Sequence, residues 1–243
     1  MKPVLLLIPG MFNTAAIWDP VRAALPEQAD APGVRVADVL SQDSITAMAD
    51  DAWHLVDDTA PDTPLIVAGF SMGGYVALEL LANHPGRVHA LALIDSAASV
   101  ETAESTAVRR KTISALERNF ERTVEGIIAF SLHPHSLQNS ALVAGMRSMM
   151  HAVGAQGAIR QNRAIIDRRD HRSLLSRLAL PTLIVCGRED RVTPPALSVD
   201  LQSLLPHAQL EWIDDAGHQT VLEQPQIVAG HLMTLVRQLV AAV

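Results

Sequence analysis

The most informative segment of this 243-residue chain is Leu65-Ile66-Val67-Ala68-Gly69-Phe70-Ser71-Met72-Gly73-Gly74-Tyr75-Val76-Ala77-Leu78-Glu79-Leu80. An apolar run leads into the pattern Gly-x-Ser-x-Gly, and a run rich in alanine and leucine follows it. This order predicts a buried strand, a sharp turn that exposes Ser71, and a helix. Glycines at positions 69 and 73 leave room for the strand and the helix to approach each other closely.

The five-residue pattern also arises by chance, in roughly a few per cent of chains as rich in glycine as this one. The strand-like run before it and the helical run after it argue against chance. In the predicted turn, Ser71 lies at the carboxyl end of a central strand, and the amide of Met72 lies at the N-terminus of the following helix. We therefore interpret Ser71 as a candidate nucleophile and the Met72 amide as a candidate oxyanion donor.

Strand and helix patterns alternate on both sides of this segment. Short apolar runs predict strands at residues 4–8, 34–37, 65–68, 90–94, 182–186 and 210–213. Such alternation is typical of a parallel sheet with right-handed crossovers. We therefore predict an α/β fold, with a mostly parallel sheet of about six strands and helices on both faces.

Between residues 98 and 178 the strand-like runs disappear. An apolar stripe from Ile113 to Ile127 follows helical spacing, and two or three further helices fit the sequence up to Leu178. We therefore predict a single domain over residues 1–243, with a helical cap inserted at about 98–178.

The predicted cap contributes candidate substrate-pocket residues. These are Phe130, Met146 and Met150, together with Phe12 from the loop after the first strand. Methionines at helical spacing more often belong to a hydrophobic core, so a core role is the alternative. The arginines at 160, 163, 168 and 169 are interpreted as a solvated face in preference to an anion clamp.

A serine hydroxyl needs a base within hydrogen-bond reach, and that base needs a carboxylate to orient it. His218 follows the last predicted strand, and Asp190 follows the strand before it, so both should lie with Ser71 at one edge of the sheet. Asp190 could instead cap the next helix, and Glu189 and Asp95 are alternative acids. We rank Asp190 first and Asp95 second.

Composition excludes several classes of function. The formal net charge is −7, which argues against nucleic acid as a partner. No apolar run approaches the ~20 residues that span a bilayer, and the first apolar run is interpreted as a strand and not as a signal peptide, so we predict a protein without membrane association. The single cysteine, Cys186, cannot form an internal disulfide, which fits a reducing cytoplasm.

The sequence also lacks a convincing metal-ligand set. His133 and His135 flank Pro134, but no further ligands accompany them at a suitable spacing. We therefore predict neither a metal nor a cofactor.

Three motifs carry a resemblance to a known family. Gly69-Phe70-Ser71-Met72-Gly73-Gly74, Gly187-Arg188-Glu189-Asp190 and Gly217-His218 occur in the order and strand context of the α/β-hydrolase superfamily. The chain resembles a lid-bearing branch close to small esterases and lactonases. The resemblance implies hydrolysis of a small carboxylic ester or lactone through an acyl-enzyme on Ser71, with His218 as base and Asp190 as orienting acid. Thioester hydrolysis, carbon–carbon cleavage and a non-catalytic ligand receptor are alternatives.

The resemblance also implies the second oxyanion donor. In the family, this amide follows a His-Gly pair at the end of an early strand. Here the pair is Pro9-Gly10, so the role passes to Met11, with Phe12 as the weaker candidate. The two antiparallel strands that begin many relatives are expected to be absent, and the oligomeric state is left open.

Overall fold

The centre of the molecule is a six-stranded parallel sheet, described in a computed structural model that covers residues 2–26 and 31–241. The strands are β1 (Val4–Ile8), β2 (Gly33–Val36), β3 (Leu65–Phe70), β4 (Ala90–Ile94), β5 (Thr182–Gly187) and β6 (Gln209–Ile213). They pair in the order β2-β1-β3-β4-β5-β6, and every neighbouring pair is parallel. The predicted fold class is confirmed.

Helices cover both faces of the sheet. The α-helices of the described residues are α1 (Asp19–Ala24), α2 (Ile45–His54), α3 (Met72–Asn83), α4 (Ala103–Arg118), α5 (Phe120–Ser131), α6 (Ser140–Ile166), α7 (Arg172–Leu175), α8 (Pro195–Leu204), α9 (Thr220–Glu223) and α10 (Pro225–Ala241). One hydrophobic cluster joins the sheet to α2, α3 and α8, and a second joins the opposite face to α1 and α10. Because both faces are buried, the inner strands are continuously apolar.

Helices α4 to α7, which we call the inserted helices, lie between β4 and β5. A third hydrophobic cluster packs α4, α5 and α6 against one another. Gly154 has φ 68° and ψ 170°, which breaks the helical geometry within α6. Neither α6 nor any other helix among the described residues combines the length and the apolar character needed to cross a membrane.

The interpretation of the arginines as a solvated face is wrong for Arg160 and Arg168, which are partly buried, whereas the side chain of Arg169 is 56% exposed. Arg160 donates to the carbonyl of Leu40 at 2.8 Å, and Arg168 pairs with Glu101 at 2.8 Å. Arg169 pairs with the buried carboxylate of Glu79 on α3. These bonds join the end of α6 and the residues after it to the remainder of the fold, a role that sequence spacing does not reveal.

Candidate active site

Ser71 occupies a strained turn between β3 and α3. Its φ is 52° and its ψ is −117°, a conformation that non-glycine residues rarely adopt. The flanking glycines allow this turn. A Cβ at position 69 would lie 2.2 Å from the carbonyl oxygen of Gly73, and a Cβ at position 73 would lie 2.2 Å from that of Ile8. The backbone can therefore adopt this turn only with glycine at positions 69 and 73.

Three predicted side chains lie in one hydrogen-bonded row. Ser71 Oγ is 2.9 Å from His218 Nε2, and His218 Nδ1 is 2.8 Å from Asp190 Oδ2. Asp190 is 3% exposed and His218 is 4% exposed, whereas Ser71 is partly accessible. The acid comes from the loop after β5 and the base from the loop after β6, so the parallel sheet places both at its carboxyl edge.

The loop after β5 fixes the orientation of the Asp190 carboxylate. Oδ1 accepts hydrogen bonds from the amides of Val192 at 2.7 Å and Thr193 at 3.0 Å. Oδ2 accepts from the hydroxyl of Thr193 at 2.7 Å, and this hydroxyl is also 3.2 Å from His218 Nδ1. The carboxylate consequently presents Oδ2 to the imidazole.

The electrostatic environment favours the protonated form of His218. Burial by itself lowers the pKa of the imidazole, but the negative charge of Asp190 and its hydrogen bond outweigh this effect. The pKa of His218 is therefore raised above its ordinary value of 6.5. An imidazole that readily holds a proton is suited to accept one from a serine hydroxyl.

The loop that carries His218 is held from two sides. The backbone amide of His218 donates to the carbonyl of Ser131, at the end of α5, at 2.7 Å. The carboxylate of Glu223 accepts from the amides of Gly217 at 2.9 Å and Gln219 at 3.1 Å. The base is thus attached to the inserted helices as well as to the sheet.

The two candidate oxyanion donors, the amides of Met11 and Met72, belong to backbone segments next to Ser71. The amide of Met72 is at the first position of α3, where helical amides have no intrahelical acceptor. Met11 follows Gly10, and a Cβ on Gly10 would lie 3.0 Å from Ser71 Cβ, so this loop packs against the serine. The neighbouring Phe12 amide is occupied, because it donates to Gln161 Oε1 at 3.0 Å.

The alternative acids have other partners. Glu189 accepts a hydrogen bond from the amide of Ala216 at 3.2 Å. The carboxyl group of Asp95 bonds to Gly187 and Thr220. Among the described residues, the imidazole of His218 has a carboxylate hydrogen bond to Asp190 alone.

A cleft of about 1180 Å³ is lined by residues of α4 and α5 and by Met11 and Val192, which belong to the loops beside Ser71 and Asp190. Ser71 and His218 are not among its lining residues. Phe130, which is 50% exposed, lines this cleft. Phe12, Met146 and Met150 are instead buried in the hydrophobic cluster of the inserted helices, and they are not among the residues that line it. Of the four candidate pocket residues, one faces the cleft and three lie in the core. For Met146 and Met150 this is the alternative given above, whereas the burial of Phe12 was not predicted.

One buried group of potential ligands lies beside the site. Oxygen atoms of Asp95 and Asp190 and the sulfur of Cys186 lie within 4.8 Å of one another. Burial, with a smaller contribution from Asp95, raises the pKa of Cys186 to about 12, so the sulfur remains a thiol, whereas metals bind the thiolate. Both carboxyl groups already accept several hydrogen bonds, so this set fits a metal poorly.

Several supporting residues were missed by the sequence analysis. Gln161 is fully buried and bridges the Phe12 amide and the carbonyl of Val39, at 3.0 and 2.9 Å. Asn13 donates to the carbonyl of Met11 at 2.9 Å. Thr193 follows Asp190 by three residues, a spacing that suits a hydroxyl bonded to an aspartate, whereas no local signal marks Gln161.

Comparison with known proteins identifies the family. Residues 3–225 match the model of the α/β-hydrolase fold family. The chain belongs to this family, and it is an enzyme of the carboxylic ester hydrolase class.

Individual proteins are similar along most of the chain. A pimeloyl-[acyl-carrier protein] methyl ester esterase of Xanthomonas campestris pv. campestris is 28% identical over 250 residues, which cover 98% of this chain and 96% of that protein. The esterase of the same name from Neisseria meningitidis serogroup C is 26% identical, over 90% of this chain and 84% of that protein. A thermophilic esterase from Thermogutta terrifontis shares the fold, with a TM-score of 0.83, 24% identity and coverage of 98% and 91%.

Proposed function

We propose that this protein hydrolyses a carboxylic ester through an acyl-enzyme on Ser71. The observation that carries the proposal is the row of hydrogen bonds from Ser71 through His218 to Asp190, at 2.9 and 2.8 Å. These distances lie within the range over which a base can take the proton of a serine hydroxyl.

In the proposed mechanism, His218 accepts the Ser71 proton as Oγ attacks the ester carbonyl carbon. The amides of Met11 and Met72 stabilise the negative oxygen of the tetrahedral intermediate. His218 then donates its proton to the departing alcohol, and the acyl group stays on Ser71. Water, activated by the same imidazole, releases the acid and restores the serine. Asp190 stabilises the imidazolium that forms in both halves of the reaction.

The names of the two esterases support a small alcohol as the leaving group, since both describe a methyl ester. A lactone is an internal ester and opens by the same steps, after which its alcohol remains attached to the acyl chain. Thioester and carbon–carbon cleavage use the same residues but need other leaving groups. A panel of methyl esters, lactones, thioesters and diketones with acyl chains of matched length separates these substrates.

A fluorophosphonate probe tests the proposal directly, because it forms a stable adduct with an activated serine. The wild type is expected to gain one adduct by intact mass, and peptide mapping is expected to locate it on Ser71. The labelling rate should rise with pH as His218 loses its proton, with a midpoint above about 6.5, because the pKa of His218 is raised. A folded wild type that forms no adduct and hydrolyses no ester would contradict the proposal and favour a ligand receptor.

A second feature favours a particular kind of ester, one with an anionic group far from the reacting carbonyl. Among the described residues that line the cleft, five are cationic and one, Glu101, is acidic. The cationic residues are Arg109, Lys111, Arg118, Arg122 and Arg191. This lining contrasts with the net charge of −7 of the whole chain. Exposed apolar side chains of Val108, Phe130 and Val192 lie in the same cleft and suit an acyl chain.

The relatives' names describe an acyl group carried on an acyl-carrier protein, which is one source of such an anionic group. A free dicarboxylate monoester is the small-molecule counterpart.

Charge reversal in the cleft is expected to weaken binding of anionic esters. Arg118→Glu should raise KM for the monomethyl ester of a dicarboxylic acid roughly 5- to 10-fold at low salt, with little effect on a neutral ester of equal length. Arg177→Glu is a matched control, because both arginines are exposed and donate to the carbonyl four residues earlier, at 3.2 and 3.1 Å. Equal changes in KM for the charged and neutral esters would contradict the proposal that the cationic residues of the cleft bind the anionic group of the substrate.

A further inference from the structure

Asp95 is a fully buried acid that the mechanism above does not use. It follows β4 directly with φ 46°, in the left-handed region that non-glycine residues seldom occupy. Its Oδ1 accepts a hydrogen bond from the amide of Gly187 at 3.0 Å. Its Oδ2 accepts from the amide of Thr220 at 3.3 Å and is 2.5 Å from the Thr220 hydroxyl. One carboxyl group thus joins the start of the Asp190 loop to the loop that carries His218.

The backbone around Asp95 contacts the same machinery. Its carbonyl oxygen lies 2.9 Å from the hydroxyl oxygen of Thr193, which is itself 2.7 Å from Asp190 Oδ2. The preceding carbonyl, of Ile94, accepts from the amide of Ser71 at 2.8 Å, and the hydroxyl of Ser96 donates to the carbonyl of Ser71 at 2.9 Å. The turn at residues 94–96 therefore contacts the segments that carry the proposed nucleophile, acid and base.

We propose that Asp95 is a positioning residue, which holds the Asp190 loop and the His218 loop at the separation that the proposed proton transfer requires. The inference rests on the proposed function, since it concerns the same site. The two loops touch through their backbones, because a Cβ on Gly187 would lie 2.1 Å from the carbonyl oxygen of Gly217. Without the carboxyl group, the Gly187 amide and the Thr220 hydroxyl lose a buried acceptor, and the loops can move apart.

Hydrogen bonding, and not negative charge, is the means by which Asp95 acts. Burial, followed by the negative charge of Asp190, raises the pKa of Asp95 well above the usual range of an aspartate. This shift moves the Asp95 carboxyl toward its neutral form relative to an exposed aspartate. Asparagine has the same shape and keeps an oxygen for the Gly187 amide. Its NH2 group can donate to the Thr220 hydroxyl once that hydroxyl rotates to accept, so only the 3.3 Å bond from the Thr220 amide is lost.

Substitution of Asp95 tests this role. Asp95→Ala is expected to lower kcat for a methyl ester roughly 10- to 100-fold, the loss typical of a small displacement of reacting groups, with KM within about threefold of the wild type. Asp95→Asn is expected to recover most of the lost kcat. Glu79→Ala is the matched control, because it also removes a buried carboxyl group that joins separate segments, but away from Ser71. It should lower the melting temperature and leave kcat within about twofold.

The outcomes separate this inference from the proposed function. An active wild type whose kcat is unchanged by Asp95→Ala, measured well below the melting temperature, would overturn the inference alone. So would an asparagine variant as slow as the alanine variant. If Asp95→Ala does not fold, Thr220→Val removes the hydroxyl bonded to Oδ2 and should lower kcat in the same way; unchanged kcat would again overturn it. A wild type without adduct or turnover overturns both proposals.

Discussion

Ser71→Ala is expected to lower kcat for ester hydrolysis by at least about 10⁴-fold, and to abolish the fluorophosphonate adduct. The proposed acyl-enzyme needs the Ser71 oxygen, and no other hydroxyl among the described residues bonds to His218 Nε2. The loss should appear in kcat with little change in KM, because the acyl chain is expected to bind in the cleft. Steady-state rates over a range of substrate concentrations measure both quantities.

A double variant sharpens this prediction. If Ser71 and His218 act as a unit, adding His218→Ala to Ser71→Ala should reduce the remaining rate no further, because the base has nothing left to activate. Ser198→Ala is the control, since Ser198 is a buried serine on α8 outside the hydrogen-bonded row. Losses that multiply in the double variant, or a Ser71→Ala variant within about tenfold of the wild type, would contradict the mechanism.

The sheet was predictable because its signals are local. Each inner strand is a short apolar run bounded by glycine, proline or a polar loop, and helical spacing returns between the runs. β2 and β6 were found in the same way, although their residues are only partly buried. The parallel direction of the strands also followed from their alternation with helices, whereas the strand order β2-β1-β3-β4-β5-β6 was not predicted.

The candidate site was predictable only in part. Ser71, Asp190 and His218 each follow a strand, so topology alone indicates that they lie at one edge of the sheet. Contacts between segments that are far apart in sequence leave no pattern from which they could be predicted. Gln161 on α6 bonds to the loop after β1, and the carbonyl of Ser131 on α5 accepts from the amide of His218. Both depend on how the inserted helices pack, which spacing within a helix does not specify.

The pocket shows the same limit. Phe130 and Phe12 are both aromatic and lie near predicted loops or helix ends, yet one is half exposed in the cleft and the other is buried. The cationic lining arises from side chains on α4, on α5 and in the loop after β5, which become neighbours only after the helices pack. Sequence alone therefore indicates the chemistry of the nucleophile better than the chemistry of the substrate.

Gly73→Ala is expected to be among the most destabilising single-methyl changes in the described part of the chain. The added Cβ would lie 2.2 Å from the carbonyl oxygen of Ile8 and 2.8 Å from that of Pro9, and both atoms are backbone. A side chain could rotate away, but the end of β1 is held by its pairing with β2 and β3. The helix that begins after Ser71 must therefore separate from β1, or the variant must leave the native fold.

We expect this change to lower the free energy of unfolding by at least about 3 kcal/mol, and the melting temperature by at least roughly 6 °C, because overpacking against backbone cannot relax locally. Gly230→Ala on α10 is the matched control: no atom lies within 4 Å of its Cβ position, so alanine should stabilise the helix by about 0.5–1 kcal/mol.

Any Gly73→Ala protein that folds should also react slowly with fluorophosphonate, because the displaced residues at the end of β1 lead directly into the loop of Met11. Calorimetry and labelling rates measure the two effects; a Gly73→Ala variant as stable and as reactive as the wild type would show that β1 and α3 do not approach as closely as described.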